Sequence, residues 1–179
     1  MGLLEKIFFR DWPQPHSGGL LLDLTLDLSA GALGQFCVNG SDRNLRDLLG
    51  APANWKRWTY RQQWHYPELG VWFDSSKEGI LDCIYLVVRE EASYAICPGW
   101  KERWKPWTGS IRYERGSVPA LAAKKEDFIK LLGEPKERDD DPDGPEFMYD
   151  DSSRFNDFAF DVEFTPKGEL SGLDLYSTR

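Results

Sequence analysis

The amino-acid sequence predicts an α+β protein built from two tandem similar copies, each an antiparallel sheet with a short helix packed on it. The first observation is a repeated segment. Residues 45–52 (LRDLLGAP) have the same apolar, Gly and Pro pattern as residues 128–135 (FIKLLGEP), at an offset of 83 positions. The second is that residues 71–86 correspond to residues 160–175 at an offset of 89, so copy two carries six extra residues between the two matched stretches. Such internal self-similarity is typical of repeated structural units.

Four segments follow from this repeat. We expect an N-terminal extension at residues 1–19, copy one at residues 20–97, a tryptophan-rich connector at residues 98–109 and copy two at residues 110–179. A chain of 179 residues can bury roughly 70% of the surface of its unfolded form. No apolar run approaches the ~20 residues of a membrane-spanning helix, and the N-terminus lacks the residue order of a signal peptide. These features predict a cytoplasmic protein.

The elements of copy one follow from the spacing of its apolar residues. Residues 20–28 end in leucines at every second position, which is the period of a strand with one buried face. Residues 35–38 predict a short strand, and the leucines that follow predict a short helix that ends at Gly50. Residues 55–88 are rich in aromatic and β-branched residues and predict an antiparallel meander.

Copy two repeats this order of elements. The predicted elements are a strand at residues 110–113, a helix at residues 126–132, and strands at residues 147–149, 158–164 and 173–176. Each β segment alternates apolar and polar residues, so each is expected to have one solvated face.

The negative charge of the chain is concentrated in copy two. The net charge is -8, and residues 105–179 hold 11 Lys and Arg against 17 Asp and Glu. An acidic surface is repelled by nucleic-acid phosphates and by anionic lipid, and it attracts basic partners. We therefore expect a basic protein partner and neither nucleic acid nor a membrane, while a homo-oligomer is compatible with the sequence.

Motifs that carry catalytic or cofactor chemistry do not occur in the sequence. The cysteines Cys37, Cys83 and Cys97 have no CxxC spacing, and buried reduced thiols are the favoured interpretation. The two histidines lack metal-ligand spacing, and there is no nucleophile elbow, phosphate-binding glycine loop or dinucleotide fingerprint. The sequence thus predicts no cofactor and no catalytic residues, although an unrecognised carboxylate pair leaves a small enzyme as an alternative.

An acidic stretch in copy two is the first candidate site. Residues 134–163 hold 12 Asp and Glu against 3 Lys and Arg, and the six extra residues are expected at or near residues 139–144. Clustered like charges speed association with a basic partner and reject wrong ones. The candidate partner-binding acids are Asp139, Asp140, Asp141, Asp143, Glu146, Asp150 and Asp151.

Two other interpretations of this acidic stretch stay open. Its spacing matches an EF-hand calcium loop with the ligands Asp139, Asp141, Asp143 and Asp150. Prolines within the loop and the absence of flanking helices disfavour calcium. A solvated loop without any partner is the third interpretation, because runs of charge often serve only to keep a surface hydrated.

An aromatic stretch in copy one is the second candidate site. All eight tryptophans lie within the first 107 residues, and several alternate with Arg or Lys. Trp and Arg are enriched at the energetic centres of protein interfaces, so Trp55, Trp58, Arg61 and Trp64 are candidate docking residues. The alternative is that these rings fill the core or the seam between the copies. A platform for single-stranded nucleic acid is disfavoured by the acidic charge.

The repeated Leu-Leu-Gly-x-Pro helix ends, at residues 48–52 and 131–135, together with the strand pairs around Gly79 and Gly168, resemble small bacterial tandem-domain proteins of the immunity type. Such proteins neutralise toxins delivered by contact-dependent or type VI secretion. In outline the chain is also similar to β-lactamase inhibitor proteins. The resemblance implies a non-enzymatic immunity protein that inhibits a cognate secreted toxin with a basic surface by forming a stoichiometric complex. A calcium- or carbohydrate-binding module is an alternative.

Overall fold

In this computed structural model the described residues are 24–90, 103–114, 116–140, 144–150, 155 and 157–179. The predicted N-terminal extension lies outside them. The strands are β1 (Thr25–Asp27), β2 (Ala32–Leu33), β3 (Phe36–Cys37), β4 (Asn54–Arg57), β5 (Arg61–Tyr66), β6 (Val71–Ser76), β7 (Leu81–Val87), β8 (Ser110–Tyr113), β9 (Gly116–Pro119), β10 (Glu137–Asp139), β11 (Glu146–Tyr149), β12 (Phe158–Phe164) and β13 (Leu170–Ser177). The α-helices are α1 (Arg43–Leu49) and α2 (Lys125–Leu132), and 3₁₀ turns occupy Pro67–Leu69 and Ala120–Ala122.

The described strands form two sheets, which confirms the predicted α+β class. The large sheet has eight strands in the order β10-β11-β12-β13-β7-β6-β5-β4, and all of its neighbours are antiparallel. The small sheet has the order β3-β2-β1-β8-β9, and its central pair, β1 and β8, is parallel. The predicted meanders therefore share one continuous sheet, whereas the sequence indicated a separate sheet for each.

Each half of the large sheet is a four-stranded meander preceded by a short helix, and the halves meet at their last strands, β7 and β13. At this junction Ile84 pairs with Leu175 and Leu86 pairs with Leu173. Leu173 follows Ile84 by 89 positions, and Leu175 follows Leu86 by the same number. Each residue of the pair in one half therefore contacts the equivalent of its neighbour in the other half, so the register of the junction is symmetric.

The two halves also share local features. The hydroxyl of Tyr66 donates a hydrogen bond to the carbonyl of Gly50 at 3.1 Å, and the hydroxyl of Tyr149, 83 positions later, donates to the carbonyl of Gly133 at 3.3 Å. An irregularity in strand register occurs at the same place in β6 and in β12. In both halves a tyrosine of the second strand is hydrogen-bonded to the glycine that follows the helix, which links the sheet to the end of the helix.

The six extra residues of the second half do not lie where the sequence predicted. Six residues separate Asp139 from its partner Glu146, and six also separate the equivalent pair Lys56 and Gln63, so the connection between β10 and β11 carries no extra residues. In contrast, the β11–β12 connection, residues 150–159, places ten residues between its paired ends, whereas the corresponding connection at residues 67–70 places four. The prediction for residues 139–144 is therefore wrong. Phe155 of the longer connection is buried against aromatic rings of β12, so this connection contributes Phe155 to the core.

One face of the large sheet, the inner face, belongs to the hydrophobic core together with both helices and the small sheet. Phe73 and Phe160 of the sheet are fully buried, as are Leu45 of α1 and Phe128 of α2. Burial of a large apolar side chain contributes about 1.5 to 3 kcal/mol. Because the helices have only seven and eight residues, this packing stabilises them rather than helix propensity.

Two tryptophans of the predicted connector are packed into the fold. Trp107 belongs to the main core, and Trp104 packs against Trp72 on the opposite, outer face of the large sheet, with ring centroids 5.7 Å apart. Cys37 is exposed and Cys83 is half-buried, so burial of both thiols was predicted wrongly. Cys37 ends the edge strand β3, where an apolar neighbourhood in the sequence does not lead to burial.

Candidate functional site

A band of carboxylates occupies the outer face of the second half of the large sheet. The outward positions of strands β10, β11 and β12 are Glu137, Asp139, Glu146, Met148, Ala159, Asp161 and Glu163. Five of these seven residues are acidic and none is Lys or Arg. We call Glu137, Asp139, Glu146, Asp161 and Glu163 the acidic band.

The strand register places several of these carboxylates directly opposite one another. Asp139 pairs with Glu146, and Glu146 pairs with Glu163, so three acidic residues form one row across three strands. Adjacent strands lie about 4.8 Å apart, and directly opposed side chains of like charge destabilise a sheet. The row of like charges is therefore expected to lower the stability of the folded protein.

Burial, and after it the crowding of like charges, raises the pKa values of two members of the band. Burial raises the pKa of Glu146 above its ordinary value, and the charges of Asp161, Glu163 and Asp139 raise it further. Burial also raises the pKa of Asp161 to about 6, although the Tyr176 hydroxyl opposes this rise by donating a hydrogen bond at 3.3 Å. The negative charge of the band thus increases as the pH rises through about 6.

The corresponding positions of the first half carry different side chains. At offsets of 83 in the first two strands and 89 in the third, they are Asn54, Lys56, Gln63, Trp72 and Asp74. Only one of these five is a carboxylate. The two halves therefore present different chemistry on the same strand framework.

Asp74, the single carboxylate of that set, is held by polar neighbours in a buried position. Its side chain is 2% exposed, and its Oδ2 atom accepts a hydrogen bond from Gln63 Nε2 at 3.2 Å and lies 3.6 Å from an Arg61 nitrogen. Its Oδ1 atom has no hydrogen-bond partner within the described residues. Burial is the main cause that raises the pKa of Asp74 to about 6.

The predicted aromatic docking residues separate into core and surface positions. Trp64 is 7% exposed and donates its indole N–H to Ser75 at 3.0 Å, and Trp55 packs against Trp64 with ring centroids 6.1 Å apart. For these two tryptophans the structure agrees with the core interpretation. Trp58 is 45% exposed, and the Arg61 guanidinium lies 5.1 Å from the centroid of its ring. A docking role for Trp58 and Arg61 stays a prediction.

The predicted acidic residues also divide into groups. Asp139 and Glu146 belong to the acidic band, whereas Asp140 is exposed just after β10. Asp150 follows β11 and accepts a hydrogen bond from Lys136 Nζ at 2.5 Å. Asp141, Asp143 and Asp151 lie outside the described residues.

Of the four predicted calcium ligands, the structure describes Asp139 and Asp150. No group of three or more His, Cys, Asp or Glu residues among the described part of the chain is arranged to hold a metal ion. Calcium binding by the complete loop stays a prediction.

Sequence reasoning missed three members of the acidic band, Glu137, Asp161 and Glu163. Alternation within residues 158–164 places Asp161 and Glu163 on the polar face of a strand. That signal identifies the face. It does not identify the partner strand or the register, which bring these acids next to Asp139 and Glu146.

No protein-family model matches the chain, and no curated protein matches it. Two solved structures match it at low similarity. One is a DUF4309 family protein (YjgB) from Bacillus subtilis, with 11% identity and a TM-score of 0.47 over 82% of this chain and 84% of that chain. The other is an extracellular protein containing a SCP domain from Bacillus anthracis, with 14% identity and a TM-score of 0.44. That match covers 79% of this chain and 44% of that chain, so the chain spans less than half of the second protein.

The fold and the candidate site define an α+β protein with a band of carboxylates on the outer face of one half of its large sheet. Among the described helices, none is long and apolar enough to cross a membrane.

Proposed function

We propose that this protein is a non-enzymatic binding protein of the immunity type, which inhibits a basic protein toxin by forming a stoichiometric complex through the acidic band. We also propose that the two halves of the large sheet are copies of one structural unit and that the second copy acquired the band. The two proposals are linked. If the first copy folds without the acidic band, the band is not required for folding and is available for a binding role.

The proposal of two copies is supported by register and hydrogen bonding. Ser41 bridges Ile80 and Lys124 bridges Glu169, which are equivalent pairs at the offsets of 83 and 89. These matches extend those of the junction, the strand irregularities and the helix-end tyrosines. Two unrelated meanders are not expected to share strand register and hydrogen bonds at this many equivalent positions.

The difference between the copies supports a functional role for the band. Five carboxylates stand in the second copy where the first copy has one. Because the first copy forms the same strands without them, folding of the unit does not require these acids. This difference is the observation that carries the proposal.

The energetic cost of the band supports the same conclusion. A rise in the pKa of Asp161 to about 6 corresponds to about 1 to 3 kcal/mol of instability in its charged form, after allowance for solvent. Cations of a basic partner placed among the carboxylates would stabilise their charged forms and accelerate association. Destabilising groups that are retained on a surface are typical of binding sites.

The test begins with capture of the partner from the native host by the wild-type protein and its identification by mass spectrometry. Association of the purified partner is then measured with the double variant Glu146→Gln/Asp161→Asn. We expect an association rate at least about tenfold slower than that of the wild type, with a weaker dependence on salt.

A matched control removes two negative charges elsewhere on the surface. Asp47→Asn/Glu126→Gln changes exposed residues of α1 and α2 and alters the net charge by the same amount. It should retain nearly the wild-type rate. Equal rates for the band variant and the control variant would refute the acidic band as the contact surface.

A further inference from the structure

One row of side chains crosses the outer face of the large sheet through six strands, β5, β6, β7, β13, β12 and β11. Cross-strand pairing gives the order His65, Trp72, Tyr85, Asp174, Asp161 and Met148. The offsets of 83 and 89 relate the two halves of this row, because Met148, Asp161 and Asp174 are the equivalents of His65, Trp72 and Tyr85. We call these six positions the central row.

In the first half, another segment of the chain is packed on the central row. The Trp104 ring lies against the rings of His65 and Trp72, with centroids 5.9 Å and 5.7 Å apart, and Trp104 is 5% exposed. This segment is fixed to the sheet by its backbone, since the N–H of Trp107 donates to the carbonyl of Val87 at 2.7 Å. The first half of the row therefore binds a large side chain from outside the sheet.

The second half of the row has the same strand framework and different chemistry. Met148 and Asp161 are half-buried, so part of each side chain remains accessible, and Asp174 is buried directly opposite Asp161. The outward positions of β11, β12 and β13 include no Lys or Arg. Where Trp104 contacts two aromatic rings on the first half, the equivalent place on the second half has a thioether and a carboxylate.

A thioether beside carboxylates suits a side chain that combines an apolar stem with a cationic end. Thioethers adapt to irregular apolar surfaces, and long basic side chains bury their stems while the charged end stays with polar groups. Arginine fits a half-buried position better than lysine, because the guanidinium is more weakly hydrated and can donate two N–H groups to one carboxylate.

We propose that an arginine side chain of the basic partner binds the second half of the central row, in contact with Met148 and Asp161, at the place equivalent to that of Trp104 on the first half. The inference rests on the proposed function, because it names the side chain by which the partner contacts the acidic band. It also adds Asp174 of β13 to the contact surface, next to Asp161.

The test uses the capped tripeptide Gly-Arg-Gly as the probe and Gly-Lys-Gly as the matched probe of equal charge. Each is titrated at constant ionic strength into protein labelled with ¹³C in its methionine methyl groups, and the Met148 resonance is followed by NMR. We expect saturation by Gly-Arg-Gly with a Kd on the order of 10 mM, at least about threefold tighter than for Gly-Lys-Gly.

Two variants locate the contact. Asp161→Asn should weaken the binding of Gly-Arg-Gly at least about fivefold. Asp47→Asn removes the same charge from an exposed position of α1 and should leave the binding unchanged. Thermal unfolding checks that both variants are folded.

An unchanged Met148 resonance up to about 50 mM Gly-Arg-Gly, equal binding of the two tripeptides, or equal effects of the two variants would overturn the inference. These outcomes are distinguishable from failure of the proposed function, because the titration does not use the captured partner. A partner that binds through the acidic band while Gly-Arg-Gly leaves Met148 unchanged would refute only the arginine contact.

Discussion

Replacing the buried carboxyl of Asp74 by an amide should stabilise the protein near neutral pH. The Asp74 side chain is 2% exposed, and burial raises its pKa to about 6 from an ordinary value of 3.8. A carboxyl group with a raised pKa binds its proton more tightly in the folded protein than in the unfolded chain. Its contribution to stability is therefore most favourable in acid and is lost as the pH rises through about 6.

The magnitude follows from the size of the pKa rise. At 1.36 kcal/mol for each pKa unit, a rise of about two units costs about 3 kcal/mol near pH 7 and about half of that near pH 5. In Asp74→Asn the amide oxygen can still accept the hydrogen bond from Gln63, whereas the attraction to Arg61 is lost. We therefore expect a net gain of about 1 to 2 kcal/mol near pH 7 that declines toward pH 4.

The assay is urea unfolding of both proteins, followed by tryptophan fluorescence, at several pH values between about 4 and 8. Glu78→Gln serves as control, because Glu78 is an exposed residue of the neighbouring β6–β7 turn with a lowered pKa, and its replacement should give no gain. An Asp74→Asn protein that is less stable than the wild type near pH 7, or a difference that does not change with pH, would refute this reasoning.

Four further variants have defined expectations in urea or thermal unfolding. Tyr66→Phe and Tyr149→Phe should each cost about 1 kcal/mol, because each removes one equivalent hydrogen bond to a helix-end glycine; costs that differ by more than about 2 kcal/mol would contradict the equivalence of the halves. Gly70→Ala should cost more than about 2 kcal/mol, because the residue has a φ of 65° and an added Cβ would lie 2.5 Å from backbone atoms of Lys105 and Trp107; an unchanged melting temperature would disprove that packing. Glu146→Gln/Asp161→Asn should stabilise the fold near pH 7 by about 1 to 3 kcal/mol, because burial and then the neighbouring carboxylates disfavour the charged forms that the amides replace, and a loss of stability would show that these acids serve the fold.

Individual helices and strands were predictable from the sequence, because apolar spacing and glycine positions within each segment are sufficient to indicate them. The helix ending at Gly133 and the strands that contain Phe147 and Phe160 lie where apolar spacing and glycine place them. The parallel pairing of β1 with β8 was not predictable, since Thr25 and Ser110 are brought together across 85 positions by the tertiary fold. The edge-to-edge junction of β7 and β13 likewise leaves no local signature.

The candidate site was predictable only in part. The concentration of negative charge in the second half of the sequence identified Asp139 and Glu146, but the location predicted for the extra residues was wrong, because Phe155 has no counterpart in the shorter connection at residues 67–70 that could fix an alignment. Trp58 and Trp64 belong to one aromatic stretch that also contains Lys56, Arg57 and Arg61, yet Trp64 is buried and Trp58 is exposed. The difference is set by the fold, because Trp64 lies within β5 whereas Trp58 lies in the loop that follows β4.

Binding of a basic protein partner to the acidic band is the proposed function, and Met148 is placed to report this contact. Met148 lies among the outward positions of the band, and the chain has one other methionine, Met1. The measurement is a titration of protein labelled with ¹³C in its methionine methyl groups by the captured partner, followed by NMR. We expect the Met148 methyl resonance to change until one equivalent of partner is bound, and we expect Glu146→Gln/Asp161→Asn to weaken this response. Stoichiometric binding by calorimetry with an unchanged Met148 resonance would contradict it.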